Sequence, residues 1–261
     1  MNISVEPKAA RELQAEKLKV KVYADRKAMG LAAAVAIAAK LKEVLAAKGT
    51  ANVVFAAAQS QVDFLAALAE QPGIDWSKVV ALHMDEYHTL PADAPQRFGL
   101  WLKRHFFDVV KPGKVLYMSE KEEDGATVCA RYTAWLKEYP VDITCIGVGE
   151  NGHVAFNDPP VADFNDAALV KVVVLDKYSR QQQVNDGEFA SFDQVPTEAI
   201  TLTVPALMAS AWIIGTVPGV RKSEAVKKMM RDAISEACPA TILRRHGHVC
   251  LYLDADAAQL I

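Results

Sequence analysis

Along the chain the hydrophobic pattern switches repeatedly between a period of two and a helical period. Leu18–Tyr23 (LKVKVY) alternates, with Leu18, Val20 and Val22 on one face, which predicts a strand. Asp25 then caps an alanine-rich helix predicted to run to about Lys48, with Gly49 as its stop. Residues 51–57 (ANVVFAA) read as a buried strand, 61–69 as a short helix and 79–84 as a strand. A helix with an aromatic face follows at 96–107, a short strand at 115–118 and a helix at 122–138. Strands are predicted again at 141–147, 169–175 and 211–217. A helix from about Val220 and a last strand at 248–253 close the chain. Strands alternating with helices imply βαβ units, right-handed crossovers and a doubly wound, mostly parallel sheet flanked by helices, in the Rossmann-like α/β class. No repeat, low-complexity tract or linker interrupts the pattern, so one domain over 1–261 is expected.

Composition changes this picture little. A chain of 261 residues with 51% hydrophobic positions can bury a substantial core. The net charge of −3 gives no reason to expect nucleic acid, and the apolar runs are too short to span a bilayer. The first twenty residues are charged and lack the apolar core of a signal peptide. Cys129, Cys145, Cys238 and Cys250 form no CxxC pair, and Cys145 and Cys250 read as small core residues. These features point to a soluble, cytoplasmic protein.

The chemistry is concentrated in residues 147–160, GVGENGHVAFNDPP, directly after a predicted strand. Loops beyond the carboxyl ends of strands form the ligand crevice of an open α/β sheet. Gly147, Gly149 and Gly152 match G-x-G-x-x-G, but Pro159 and Pro160 forbid the helix that a dinucleotide site needs, despite Asp176 downstream. His153 stands between Asn151 and Asp158, and an imidazole oriented by a carboxylate moves protons near neutral pH. Asp85 and Glu86 follow the 79–84 strand, where a partly desolvated carboxylate suits a general base and a mere turn cap is the alternative. Lys222 opens a helix after the 211–217 strand, a place that attracts anions. Residues 56–61 (AAAQSQ) sit where a phosphate loop would, without its glycines. His83, His88, His105, His246 and His248 show no metal-ligand spacing and read as structural or solvated; Met84, Met208, Met229 and Met230 read as core. Neither a metal nor a cofactor is called for.

Two long motifs, MDEYHTLPADAPQRFGLWLKRHFFD at 84–108 and GVGENGHVAFNDPP at 147–160, resemble the glucosamine-6-phosphate deaminase/isomerase family. VPTEAITLTVPALM at 195–208 and VPGVRKSEAV at 217–226 add to the likeness, which runs from about Ala51 to the end. The resemblance implies conversion of an aminohexose 6-phosphate to fructose 6-phosphate with release of ammonia. It makes Asp85 the base that moves a proton from C2 to C1, and His153 the acid/base of ring opening. Asp158 stands where the family has Glu, orienting the histidine with one methylene fewer, and Asn151 stands where the best-known members have Asp. On the substrate and phosphate side the resemblance places Ser60, Glu86, Gly149, Gly152, Arg180 and Lys222, and drops a second family arginine on about Asn185. It also implies a homo-oligomer. Two other readings share the features: a hydrolase of the 6-phosphogluconolactonase type, and a non-catalytic sugar-phosphate sensor. The lactonase loop continues past its histidine with a T-A-S-L-F-P-like run, whereas VAFNDPP follows here.

Overall fold

A computed structural model describes residues 5–119 and 123–261. The strands are β1 (Arg11–Ala15), β2 (Leu18–Tyr23), β3 (Ala51–Phe55), β4 (Val79–His83), β5 (Asp85–Glu86), β6 (Lys114–Leu116), β7 (Ile143–Ile146), β8 (Val170–Val174), β9 (Glu198–Leu202), β10 (Trp212–Val217) and β11 (Val249–Asp254). The helices are α1 (Arg26–Lys48), α2 (Val62–Ala69), α3 (Phe98–Leu102), α4 (Asp108–Val110), α5 (Gly125–Glu138), α6 (Lys177–Asn185), α7 (Val204–Met208) and α8 (Ser223–Arg231). A π-helical turn, Lys103–Phe107, joins α3 to α4.

The main sheet has the order β1-β2-β11-β10-β7-β3-β4-β6, and every pair in it is parallel except β1 with β2. This is the expected α/β architecture. From β3 the chain moves outward to β4 and β6, then returns to β7 and leaves the other way to β10 and β11. The order therefore reverses between β3 and β7, and the loops after these two strands frame a crevice. Alternate residues of the strands feed two cores. Val53 and Phe55 pack with α1, α2 and α3 on one face. Val54 and Leu82 pack with α5, α7 and α8 on the other.

Local signals explain most boundaries. The Asp25 side chain accepts from Ala28 N–H at 2.9 Å, and Gly49 adopts φ 78° to end α1. Several expectations shift. Residues 169–175 do form a strand, but β8 belongs to a separate antiparallel sheet, β5-β9-β8. β9 lies inside the 195–208 motif and was not foreseen, because EAITL does not alternate cleanly. β1 is too charged to signal itself and forms by pairing with β2. The 96–107 helix starts at Phe98 and runs on to Val110. The expected start of the next helix at Glu122 lies outside the described residues, and α5 is seen from Gly125, capped by Asp124. Met84, Met229 and Cys145 are in the core, whereas Cys250 is only half-buried.

One buried carboxylate organises the end of β4. Glu86 is fully buried and accepts from the backbone N–H groups of Tyr87, Phe98 and Gly99, each at 2.9 Å. It thus satisfies donors that open α3 and would otherwise be orphaned. Arg97, also fully buried, bonds the carbonyls of Pro91 at 2.8 Å and Ser119 at 3.2 Å, which pins the connection from β5 to α3. Glu86→Ala leaves three backbone N–H donors without an acceptor. Orphaned buried donors cost about 1–3 kcal/mol each, and water can reach some of them, so a loss of roughly 2–4 kcal/mol is expected. Urea unfolding with an unchanged slope reads it directly.

Candidate active site

The loops after β3, β4, β7 and β10 converge on a cleft of about 480 Å³. The β3 loop contributes Ala56, Ala57, Ala58, Ser60 and Gln61; the end of β4 contributes Met84 and Asp85. The β7 loop brings Gly147, Gly149 and His153, and the turn after β10 brings Lys222. Gln182 and Gln183 of α6 close the remaining side, with Phe98 and Phe156 as an apolar floor.

Asp85 enters the cleft because Glu86 does not. Successive strand residues point to opposite faces, so anchoring Glu86 to α3 turns Asp85 the other way. Its backbone is held from below. Met118 N–H donates to Nε2 of His83 at 2.9 Å, which leaves the ring proton on Nδ1 to reach Asp85 O at 2.9 Å. Burial lowers the His83 pKa to about 4, so this strut stays neutral. Among the described residues none donates to the Asp85 carboxylate. Burial, and then the neighbouring charge of Glu86, push its pKa well above the ordinary carboxylate range. Burial also pushes Glu86 up to about 7, although its bonds to Gly99 and Phe98 pull the other way.

His153 sits in a turn that only particular residues allow. A Cβ on Gly149 would lie 2.2–2.3 Å from the His153 ring, so the imidazole packs directly over this glycine. Gly152 has φ 86°, and a Cβ there would meet Cys238 Sγ at 2.5 Å. Ala155 is held at φ 49°, a costly conformation for a non-glycine residue. Asn157 fastens the turn by donating to Val154 O at 2.9 Å and Leu202 O at 2.8 Å.

Behind the ring lies a polar group gathered on one oxygen of Asp158, whose Oδ2 is buried without a partner among the described residues. Nδ1 of His153 is 3.0 Å from Asp158 Oδ1 and 2.8 Å from Ser179 Oγ, and Ser179 Oγ–H donates to Asp158 Oδ1 at 2.5 Å. The Asn151 amide donates to the same Oδ1 at 2.8 Å, while its own oxygen accepts from His153 N–H at 3.0 Å. Burial alone would raise the Asp158 pKa. The charge of His153 and the hydrogen bonds from His153, Asn151 and Ser179 outweigh it and hold the carboxyl at about 2. The site thus holds two carboxyl groups whose pKa values are driven in opposite directions, Asp85 up and Asp158 down.

Lys222 is buried at the other end. Among the described residues no carboxylate lies within ion-pair distance of it, and burial lowers its pKa to about 8. Its neighbour Arg221 is committed to Glu150 at 3.0 Å and to Asp186.

Of the residues singled out from sequence, Asp85, His153, Gly149, Ser60 and Lys222 line the cleft. Asn151 and Asp158 stand behind His153. Three do not reach the cleft. Glu86 is occupied by the start of α3, Gly152 shapes the turn, and Arg180 points out to the carbonyls of Phe192 at 2.9 Å and Val195 at 2.8 Å, over the Phe192 ring. Asn185 faces a neighbouring groove with Gln181 and Arg221. Ser179, Gln182 and Gln183 were not singled out. All three sit on α6, whose sequence KYSRQQQVN shows no apolar period; the only advance signal was Asp176, which caps it. Among the described residues no group of three His, Cys, Asp or Glu side chains is placed to hold a metal, and no helix is long and apolar enough to cross a membrane.

The family model of glucosamine-6-phosphate isomerases/6-phosphogluconolactonase matches residues 24–251. A glucosamine-6-phosphate deaminase of Bacillus thuringiensis (strain Al Hakam) is 33% identical over 225 residues, 84% of this chain and 82% of the relative. One from Bacillus cytotoxicus is 31% identical over 221 residues, with the same coverage. The solved structure of a monomeric glucosamine-6-phosphate deaminase superposes with TM-score 0.85 at 27% identity, covering 93% of this chain and 99% of the other. A 6-phosphogluconolactonase from Thermotoga maritima gives 0.74 at 21% identity, covering 91% and 100%, a likeness of fold alone.

The group behind His153 generates a prediction about Asn151. As an amide it gives Asp158 a donor; as a carboxylate it would face Asp158 with a like charge at hydrogen-bond distance. Asn151→Asp is therefore expected to lift the titration of this pair above the present value of about 2 for Asp158. A group whose folded pKa is held below its unfolded value stabilises the fold above the unfolded pKa, and a smaller depression means a smaller contribution. The variant should thus lose melting temperature at pH 7 and recover against wild type near pH 4, where one proton can be shared. An equal or higher melting temperature at pH 7 would contradict this arrangement.

Proposed function

The chain belongs to the glucosamine-6-phosphate isomerase/6-phosphogluconolactonase family, and from that premise we propose that it is an aldose–ketose isomerase/deaminase converting glucosamine 6-phosphate to fructose 6-phosphate and ammonia. It is an enzyme of the type its curated relatives are named for. The observation that carries the finer reading is Asp85: a buried carboxyl at a strand tip, without a protein donor, in the same cleft as an oriented imidazole.

The substrate is a closed pyranose. His153, held through Nδ1, uses its other nitrogen to move the proton from O1 to the ring oxygen O5, opening the ring. Asp158 stays ionised and supports the imidazolium formed on the way. Ionised Asp85 then takes the C2 proton, leaving an enediol-like intermediate, and returns it to C1. C1 and C2 are adjacent and share a face, so one carboxylate serves both. The amino group leaves C2 as ammonia, with water supplying the ketone oxygen. The phosphate lies toward Lys222, among the described residues the only lysine or arginine lining the cleft. A lactonase moves no proton between carbons and would leave Asp85 without work, which favours isomerisation over hydrolysis.

Incubation with glucosamine 6-phosphate, following ammonia and fructose 6-phosphate separately, tests the reading; formation of neither sinks it. Asp85→Asn is expected to lose a factor of about 10² to 10⁴ in turnover, the usual worth of one proton-transfer group. The same change removes a carboxyl that binds its proton more tightly folded than unfolded. Such a group destabilises increasingly as pH rises past about 4, the unfolded value. The inactive variant should therefore melt higher than wild type at pH 8 and show little gain at pH 4. Exchange of the C2 hydrogen with solvent deuterium at the normal rate would remove Asp85 from this role.

Lys222→Met should act on binding. A hydrogen bond to a charged group contributes about 1.5–3 kcal/mol, so KM for the 6-phosphate is expected to rise roughly 10- to 100-fold. A change in kcat with KM untouched would place the phosphate elsewhere.

A further inference from the structure

The cleft is poor in positive charge for a pocket that receives a phosphate ester. Among the described residues Lys222 is its only lysine or arginine. Neither guanidinium nearby lines the cleft: Arg180 holds two backbone carbonyls through one terminal nitrogen, its buried Nε lacking a partner among the described residues, and Arg221 pairs with Glu150 and Asp186. The polar wall is instead made of carboxamides. Gln182 uses its oxygen to accept from Glu150 N–H at 3.0 Å, which leaves its NH₂ free. Gln183 is more than nine-tenths buried, lines the cleft and makes no side-chain hydrogen bond to the protein among the described residues. A carboxamide both donates and accepts, whereas a guanidinium only donates. A fully ionised phosphate ester carries two charges and only acceptor oxygens. Beside one partly desolvated ammonium it would leave an uncompensated negative charge in the cleft, and the oxygen of Gln183 would gain nothing from it.

Resting on the function proposed above, we infer that this end of the cleft takes an anion of single negative charge, namely the singly protonated phosphate ester, and that Gln183 with Lys222 sets this specificity. Lys222 pairs with the charged oxygen. The Gln183 oxygen accepts from the P–OH, and the amide NH₂ groups of Gln183 and Gln182 serve the remaining oxygens.

Other charges act on this end of the cleft. Asp186 of the α6 side, Glu150 of the β7 loop and Arg221 of the β10 turn all bear on Lys222. Asp85 and His153 share the cleft. The test cancels them with a matched pair of probes that cannot react: the 6-phosphate and the 6-sulfate of 2-amino-2-deoxyglucitol, which lacks the C1 carbonyl. The sulfate is singly charged at every pH used, while the phosphate loses its second proton near pH 6. Dissociation constants are measured by calorimetry at pH 5.5, 6.5 and 7.5. If only the monoanion binds, the phosphate-to-sulfate ratio of Kd rises roughly 20- to 30-fold between pH 5.5 and 7.5, following the bindable fraction. Gln183→Arg should flatten that rise and tighten phosphate binding at pH 7.5 by about tenfold. Gln183→Lys is the second variant should the arginine not fold, with the same expectation. A wild-type ratio that stays constant or falls with pH overturns the inference, as does failure of either probe to bind. Loss of the proposed activity shows separately, as no ammonia from glucosamine 6-phosphate, and leaves the Kd ratios readable.

Discussion

The arrangement of the site depends on a single buried contact, the carboxylate of Glu86 on the backbone N–H groups that open α3. It ties the end of β4 to the aromatic helix packed on that face of the sheet. Because neighbouring strand residues face opposite ways, it also aims Asp85 at the cleft. The cost is a pair of adjacent buried carboxyl groups whose pKa values both rise. For Asp85 that cost is what the proposed function uses: a carboxyl with a raised pKa suits a group that takes up and returns a proton.

The β7 loop solves a different problem, placing an imidazole with one face against backbone and one nitrogen fixed. The glycines first legible as a ligand-binding fingerprint do this by their lack of a side chain. Gly149 makes room for the ring, and Gly152 turns the chain against Cys238. Ser179 packs against both the Asp158 carboxylate and the ring. The Asn151 amide is then better suited than a second carboxylate, since it gives Asp158 a donor where a carboxylate would add repulsion. The histidine keeps an oriented partner with one negative charge instead of two.

α6 joins these two halves of the site. One turn carries Ser179 behind His153, and the next carries Gln182 and Gln183 into the cleft. The hydroxyl that touches His153 and two carboxamides that line the cleft thus rest on the same nine-residue helix. Its polar composition gives it little packing energy of its own, so Asp176 at its start and Arg180 on the carbonyls of Phe192 and Val195 matter to both.

The linear chain was enough to specify the architecture and to place Asp85 and His153 at strand ends that open on one cleft. Buried parallel strands read as short apolar runs, α1 announced its own cap and stop, and the strand-end positions of Asp85 and His153 followed from those boundaries. These are local properties, decided by period and by residues within one turn of each other. Contacts across long separations were not legible. Glu86 reads like Asp85 until α3 is seen to claim it; Arg180 reads as a phosphate ligand until two carbonyls are seen to hold it. The strands β1 and β9 and the helix α6 carry weak patterns and form because neighbours remote in sequence complete their hydrogen bonds or bury one face. Which of two adjacent carboxylates opens on the cleft, and which polar residues line it, was decided only by tertiary structure, because both depend on which backbone donors are left unpaired once the sheet and helices have packed.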